Sequence, residues 1–512
     1  MVYDAARHRF AVVRHSGVPR LPGWPNPETS PVVPNPLACQ PFAGDPPETL
    51  MNAFGLPPGI RPRVVIVGAG HGGLACIEAL ASAAVDVTVI DRNNYHKFQP
   101  LLYQVATAGL GADDITQSIR HIVRRQANAD VLMGLVVDVD TEAGVLTLDT
   151  GETVAYDALV LAAGASTAYF GVEGAQDHAF PLKNVPDALA LRSWVLARFE
   201  AAAREPALIG EGALTVAVVG GGPTGVEMAG ALRELSRVLA RDFPRLDVEA
   251  ARGVLVDGEA LPLGGYDPSL RAYTAETLEA KGVELQLGLN VERVDAGGVT
   301  LADGSRIAAQ TVVWAAGVRA VPLADAVGVE QTRAGRIAVD ATLRVPGHDR
   351  VFVIGDLAGA RDAEGELFPQ VAQVAIQQGK HAAALIEAMD TGARADAPFV
   401  YRDLGQMATI GRSAAVLQTP GGRTLTGLPA WLGWLAVHLV ALVGFRNRVS
   451  VMWSWFYNYL TYDRGPRLIL TDDGGPRPVL AAAPTTGDAR GGSHAPALMG
   501  APGDDSAGPG NA

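Results

Sequence analysis

Two stretches of this chain carry the residue pattern that holds a nucleotide diphosphate. In RVVIVGAGHGGLACIEAL, Arg63–Leu80, a β-branched run feeds Gly68, Gly70 and Gly73 and a helix-forming segment follows; in TVAVVGGGPTGVEMAG, Thr215–Gly230, the spacing returns as Gly220, Gly222 and Gly225. The first glycine of such a set makes the tight turn, the second lets backbone approach the pyrophosphate, and the third lets the helix pack close to the strand. Unpaired N–H groups at the helix start then attract the negative charge. Asp91 ends VDVTVID, the next β-rich run after Gly73, where a carboxylate can accept hydrogen bonds from a ribose. Asp257 in GVLVDGE stands in the same place after Gly225, behind a longer intervening helix, with Glu259 as a competing candidate. Asp356 ends the apolar run RVFVIGD; it is either a strand-end turn acid or a group pointing into the crevice where parallel sheets bind ligands. Glu227 in GPTGVE is either an ordinary helix carboxylate or a group at a domain junction. Gln373 and Gln377 in LFPQVAQVAIQQGKHAAALIEAM stand four apart, on one face of an expected helix.

The elements that must position these residues alternate short β-rich runs with helices, the pattern of doubly wound α/β domains. The pattern is duplicated. The glycine motif that opens at Gly68 opens again at Gly220, and the strand-then-turn YDALVLAAGA, reaching Gly164, has its counterpart in TVVWAAGV, reaching Gly317. Two landmarks at nearly one offset indicate a repeated nucleotide-binding fold. RVFVIGD has no counterpart before the second motif, so the second domain is expected to be inserted into the first, with this strand returning to complete the first sheet. The expected divisions are a disordered leader (1–60), the first domain in two parts (61–175 and 321–395) around the second (176–320), a C-terminal region (396–470) and a disordered tail (471–512). Leader and tail are rich in Pro, Gly and Ala without periodic apolar faces.

The totals exclude several classes. A net charge of −13 over 512 residues argues against a nucleic-acid partner. With Cys39 and Cys76 as the only cysteines and no CxxC pair, neither a disulfide framework nor a four-cysteine metal site can form; no metal site is expected. No secretory signal is seen, which points to a reducing cytoplasmic setting. Yet 48% of the residues are hydrophobic, and much of that excess lies near the C-terminus.

LPAWLGWLAVHLVALVGF, Leu428–Phe445, carries no charge at all, and RNRVSVMWSWFYNYLTYDRGPRLIL then brings four arginines against Asp463 alone. Apolar faces, amphipathic aromatics and local arginines on an acidic chain describe an element of a membrane interface. A helix of that length covers about 27 Å against a hydrocarbon core of about 30 Å, so a single transmembrane helix over 428–445 is the alternative. Pro429 and His438 favour a helix lying in the interface, with Trp453, Trp455 and Tyr457 at headgroup depth. A buried hairpin or a dimer interface is the other way to use these side chains.

The duplicated fold with a returning GD strand resembles the flavoproteins with two dinucleotide-binding domains. The cysteine count removes their disulfide-reducing and sulfide-oxidising branches. NNYHKFQPLLYQVATAGL, the AQVAIQQG helix, YRDLGQMATIGRSAAV and the AWLGWLAVHLVALVGFRNR…RLIL end are similar, over about residues 63–470, to the type II (alternative) NADH:quinone oxidoreductases. The resemblance implies non-covalent FAD at Gly68, Gly70, Gly73, Asp91, Gly164 and Asp356, with Asp356 on the ribityl chain. It implies NADH at Gly220, Gly222, Gly225 and Asp257, a carboxylate there preferring a 2′-hydroxyl over a 2′-phosphate. A quinone pocket would fall on Gln373 and Gln377, whose amides and apolar neighbours suit carbonyls and a greasy tail, and Glu227 would assist at the flavin. Implied partners are membrane lipids and the quinone pool, with a homodimer possible, at the cytoplasmic face of the cell membrane. The chain departs from the family at Leu404, where many members have Lys, and at Ile376, where some relatives have His. A soluble NADH:acceptor reductase of ferredoxin type and a flavin-based NADH sensor are the competing functions.

Overall fold

A computed structural model describes residues 53–470 apart from Pro58, Val248, Glu249 and Tyr462, together with two short strands near the N-terminus. Those strands, Val2–Asp4 and Arg9–Ala11, pair antiparallel with Tyr3 opposite Phe10. The rest of the expected leader up to residue 52, and the expected tail from 471, lie outside the described residues.

The main body is built on two parallel sheets. The first runs, edge to edge, Arg344–Val345, His348–Val353, Ala158–Leu161, Arg63–Val67, Asp86–Asp91 and Ala129–Met133, and only the short edge strand is antiparallel. The central strands are apolar at nearly every position because helices or loops cover both faces: Val64, Val65 and Ile66 are buried and align with Ala158, Leu159 and Val160. The strand that follows the second glycine motif does return here, with Leu159 opposite Val351 and Leu161 opposite Val353. The second sheet, ordered Phe180–Pro181, Thr311–Trp314, Val216–Val219, Gly253–Asp257 and Val283–Leu287, is wholly parallel. It is inserted between strands of the first, as the repeat requires. Where the chain leaves and re-enters, Ala165–Thr167 pairs antiparallel with Val318–Ala320. Gly164 and Gly317, the repeated landmarks, stand at the heads of that two-stranded crossing.

Two glycines decide where the glutamine-bearing helix sits. This helix, Ala372–Thr391, crosses the first motif helix, His71–Ala79, so closely that a Cβ on Gly379 would lie 2.2 Å from the carbonyl oxygen of Gly72. Its N-terminal turn is thereby brought beside the end of the returning strand, with Ala375 against Gly355.

The C-terminal region starts with a three-stranded antiparallel sheet, Gln406–Thr409, Ala415–Gln418 and Thr424–Thr426. The uncharged run beyond it is not one helix. A helix covers Gly427–Ala441, Leu442 turns to extended backbone, and a second helix covers Phe445–Thr461. The break is specific: Arg448 Nε donates to the Leu442 carbonyl at 2.7 Å, and Gly444 takes φ +90°. Fifteen helical residues reach only about 22 Å, and among the described residues no helix is long and apolar enough to cross a membrane. The two helices are sided. Ala430, Trp431, Trp434, Val451 and Trp455 face the core, while Leu432, Val440, Phe445, Trp453, Phe456 and Leu460 face outward. Trp455 therefore departs from the headgroup position expected of it: it is 6% exposed, and its indole donates to Gln104 Oε1 at 2.8 Å. Three of the four local arginines are likewise structural: Arg448 at the helix break, Arg464 pairing with Glu234 at 3.0 Å and Arg467 with Asp242 at 2.9 Å.

Candidate functional site

The two glycine motifs build the same cradle twice. Gly68 and Gly220 hold φ of +100° and +110°, a region that strongly favours glycine. A Cβ on Gly73 or Gly225 would lie 1.9 or 1.8 Å from the carbonyl oxygen of Gly68 or Gly220. Gly70 and Gly222, by contrast, have nothing within 4 Å of such a Cβ. Each is the N-cap of its helix and lends no side chain to the first N–H groups, so a diphosphate can approach both backbone and helix end. This is a cradle a dinucleotide fits.

Both strand-end acids face their loops. Asp91 accepts from Ala69 N at 2.8 Å and from Asn93 N at 2.7 Å. Asp257 accepts from Gly221 N, the equivalent position, and from Glu259 N at 2.7 Å. The Glu259 side chain turns instead to Arg271, at 2.7 Å, and is 60% exposed. Gly164, at φ +76°, lies at the start of the crossing strand rather than in the glycine loop.

Asp356 follows Gly355, whose N–H donates to Gln378 Oε1 at 2.7 Å, and its own carbonyl accepts from Gln370 at 2.8 Å. Its carboxylate meets Lys183 Nζ at 3.4 Å. Lys183 belongs to a group that the sequence reading did not single out. Lys97 donates to Asn184 Oδ1 at 3.2 Å, and burial followed by the neighbouring Lys183 charge lowers its ammonium to about 8. His96 donates from Nδ1 to the Ala69 carbonyl at 2.8 Å. His71, first residue of the motif helix, is pushed down to about 3 by burial and then by His96. The Nε2 atoms of both histidines are buried and have no partner among the described residues. Cations and open imidazole nitrogens around a glycine cradle suit a phosphate-bearing, hydrogen-bonding ring system. A lysine shortly after the strand-end acid was the signal available in NNYHKFQ.

Gln373 and Gln377 do share a face, and both hold the segment Arg402–Gly405 as a neighbouring strand would. Gln373 donates to the Gly405 carbonyl at 2.9 Å and accepts from Leu404 N at 3.2 Å. Gln377 donates to the Arg402 carbonyl at 2.8 Å and accepts from Arg402 N at 2.9 Å. Each side-chain amide keeps its second hydrogen for another acceptor.

Glu227 lies elsewhere, buried under the C-terminal sheet. Burial pushes its carboxyl up to about 8, against a weaker downward pull from Thr409 N–H at 3.4 Å. The Trp434 indole adds a smaller pull, although its N–H meets no acceptor at hydrogen-bonding geometry. Trp434 stacks on His438 at 4.0 Å between ring centroids. His438 donates from Nδ1 to the Trp434 carbonyl at 2.7 Å, and burial lowers it to about 4. His438 meets Phe98 edge-on at 6.2 Å, and Phe98 lies 5.9 Å from His71. A continuous ring contact thus links the Glu227 pocket to the first cradle. The sequence marks His438 only as a polar interruption of an apolar run and Trp434 only as part of that run, so neither points to this place. Cys76 is buried with its thiol raised to about 12, so it supplies no thiolate. No group of three or more metal-ligating side chains occurs among the described residues.

Residues 62–379 match the family described as pyridine nucleotide-disulphide oxidoreductase, and residues 404–462 match the NDH2 C-terminal domain. The chain is 42% identical over 428 residues to the type II NADH:quinone oxidoreductase NdhA of Mycobacterium tuberculosis, covering 80% of this chain and 90% of that one. It is 30% identical to the internal alternative NAD(P)H-ubiquinone oxidoreductase A1 of Solanum tuberosum mitochondria, over 77% of this chain and 86% of that one. In fold it is similar to NDH2 of Plasmodium falciparum, solved in complex with NADH, with a TM-score of 0.73 at 20% identity over 80% of this chain and 100% of that one.

Proposed function

Because this chain belongs to the type II NADH:quinone oxidoreductases, within the pyridine nucleotide-disulphide oxidoreductase family, we propose that its two cradles work in series, with FAD in the first and NADH in the second. The protein oxidises NADH and reduces a quinone by two electrons, an entry to the respiratory chain that pumps no protons. FAD, held without a covalent bond, supplies the hydride acceptor and two-electron donor between the two substrates.

The chain's own residues supply the rest. Gly70 and the N–H groups of the His71–Ala79 helix take the FAD diphosphate, Lys97 and Lys183 balance its charge, Asp91 takes the ribose and Asp356 the ribityl hydroxyls. Gly222 and the following helix take the NADH diphosphate. Asp257 faces the adenosine ribose and disfavours a 2′-phosphate. Gln373 and Gln377 hold the Arg402–Gly405 segment and offer their second amide hydrogens to the quinone carbonyls. Glu227, raised to about 8, holds a proton at neutral pH at the end of the ring chain that reaches the first cradle, and stands as a proton reserve on the flavin side of the reaction. The outward apolar face of the two C-terminal helices rests on the cytoplasmic surface of the membrane as a peripheral anchor, where a long-tailed quinone is found.

The observation that carries this reading is the doubled cradle beside a C-terminal helix pair with an exposed apolar face. Neither a soluble ferredoxin-type reductase nor a soluble NADH sensor has a use for that face. Stopped-flow absorbance of the purified protein in liposomes tests it: NADH should bleach the flavin, and a long-tailed quinone should restore it. A flavin that NADH reduces but quinone cannot reoxidise would refute the assignment.

A further inference from the structure

Where the two C-terminal helices meet, at Leu442–Gly444, a cavity of about 230 Å³ lies between that turn and the segment Gln117–Arg125. Gln117, His121, Arg124 and Arg125 supply its polar wall, and Ile122 and Val443 supply apolar surface. Arg124 donates to His121 Nδ1 at 3.1 Å. Among the described residues Arg124 and Arg125 make no ion pair, whereas Arg120 pairs with Asp130 at 3.6 Å. Both arginines are exposed, on a chain whose overall charge is −13. The Phe445–Thr461 helix begins at the same spot, so its free N–H groups add positive potential there. Phe445, at the cavity's edge, is 82% exposed, and Val449, Met452, Phe456 and Leu460 continue from it as one outward apolar line. Cations at one end of an apolar line match one molecule type: a phosphate head joined to hydrocarbon tails.

We propose that this cavity seats the phosphate headgroup of an anionic phospholipid, with its acyl chains lying along the outward face of the second helix. The proposal rests on the reading of the protein as a membrane-surface enzyme and adds to it a headgroup site outside the cofactor machinery. The cavity holds a headgroup but not the tails, which must lie on the apolar line. A guanidinium pair recognises phosphate by charge-assisted hydrogen bonds. The site thereby fixes how the helix pair is rotated on the membrane as well as how tightly it binds.

The test is vesicle flotation of the intact protein, using phosphatidylcholine vesicles and vesicles containing phosphatidylglycerol, at constant ionic strength. Each arginine near an anionic surface contributes roughly fivefold in binding, so the Arg124→Ser/Arg125→Ser variant should bind the anionic vesicles roughly 25-fold more weakly. Its binding to phosphatidylcholine, its flavin content and its NADH:ferricyanide activity should stay unchanged. The Arg124→Lys/Arg125→Lys variant should restore only part of the loss, because an ammonium lacks the guanidinium fork, and Phe445→Ser should weaken both vesicle types alike. Equal loss on both vesicle types, no loss on the anionic ones, or displacement by millimolar inorganic phosphate would overturn the headgroup site. Failure of the unsubstituted protein to bind either vesicle would instead overturn the membrane-surface reading beneath it.

Discussion

Replacing Glu227 by Gln should remove a pH dependence that the parent carries. Burial raises the carboxyl from 4.5 to about 8, and a shift of that size corresponds to roughly 5 kcal/mol between the two protonation states. The sign follows from linkage. The folded chain binds the proton more tightly than the unfolded chain, so this group does not weaken folding below about pH 4.5; its burden grows as pH rises and is complete above about pH 8. The parent should therefore lose roughly 2–3 kcal/mol between pH 5 and pH 7 from this group alone, and about 1–2 kcal/mol more by pH 9. Glu227→Gln keeps the shape and hydrogen-bonding capacity without the titration. The difference in unfolding midpoint between variant and parent, which cancels every other titrating group, should be small at pH 5 and should favour the variant increasingly toward pH 9. Infrared spectroscopy provides the direct check: a protonated carboxyl band, absent from the variant, should persist at pH 7 and fade near pH 8. If Glu227 donates a proton during quinone reduction, flavin reoxidation by quinone should fall as pH rises through 8 in the parent and lose that dependence in the variant, while reduction by NADH keeps its rate in both. A band that disappears near pH 4–5, or a stability difference independent of pH, would refute the reasoning, because it would mean that water reaches the carboxylate.

Three further outcomes are expected. Asp356→Ala, which also strands Lys183 Nζ at its 3.4 Å contact, should lower flavin occupancy after purification more than it raises the NADH KM; full flavin loading would remove Asp356 from the FAD site. Gly379→Ala sets a methyl 2.2 Å from the Gly72 carbonyl oxygen, and overpacking of that kind costs about 1–3 kcal/mol against a helix-propensity gain of about 1 kcal/mol, so a lowered melting temperature with partial flavin loss is expected, and an unchanged melting temperature would mean that the helices separate freely. Phe456→Glu, on the outward face at 55% exposure, should release the protein from membranes and abolish activity with long-tailed quinones, with ferricyanide reduction by NADH retained; membrane retention would place the anchor elsewhere.

The patterns visible in the sequence were those whose physics is local. A glycine in the left-handed region, a helix opening after it and an acid ending the next strand are set by neighbours a few residues away, so Gly68, Gly220, Asp91 and Asp257 could be located by spacing alone. The insertion of one domain into the other was also legible, because the repeat lacked a partner for RVFVIGD and a parallel strand must find a sheet. The apolar face of the C-terminal region was legible as composition. Its division was not, because the helix break depends on Arg448 reaching back to the Leu442 carbonyl, and the burial of Trp455 depends on Gln104, 351 residues away. Spacing put Gln373 and Gln377 on one face, but only the fold brought Arg402–Gly405 alongside to occupy their amides. Likewise Lys97, Lys183 and Asp356 share one crevice, and Glu227 is raised to about 8, only because helices distant in sequence close over them. Hydrogen-bond commitment and desolvation are sums over all surrounding atoms, and for these residues most of those atoms come from elsewhere in the chain.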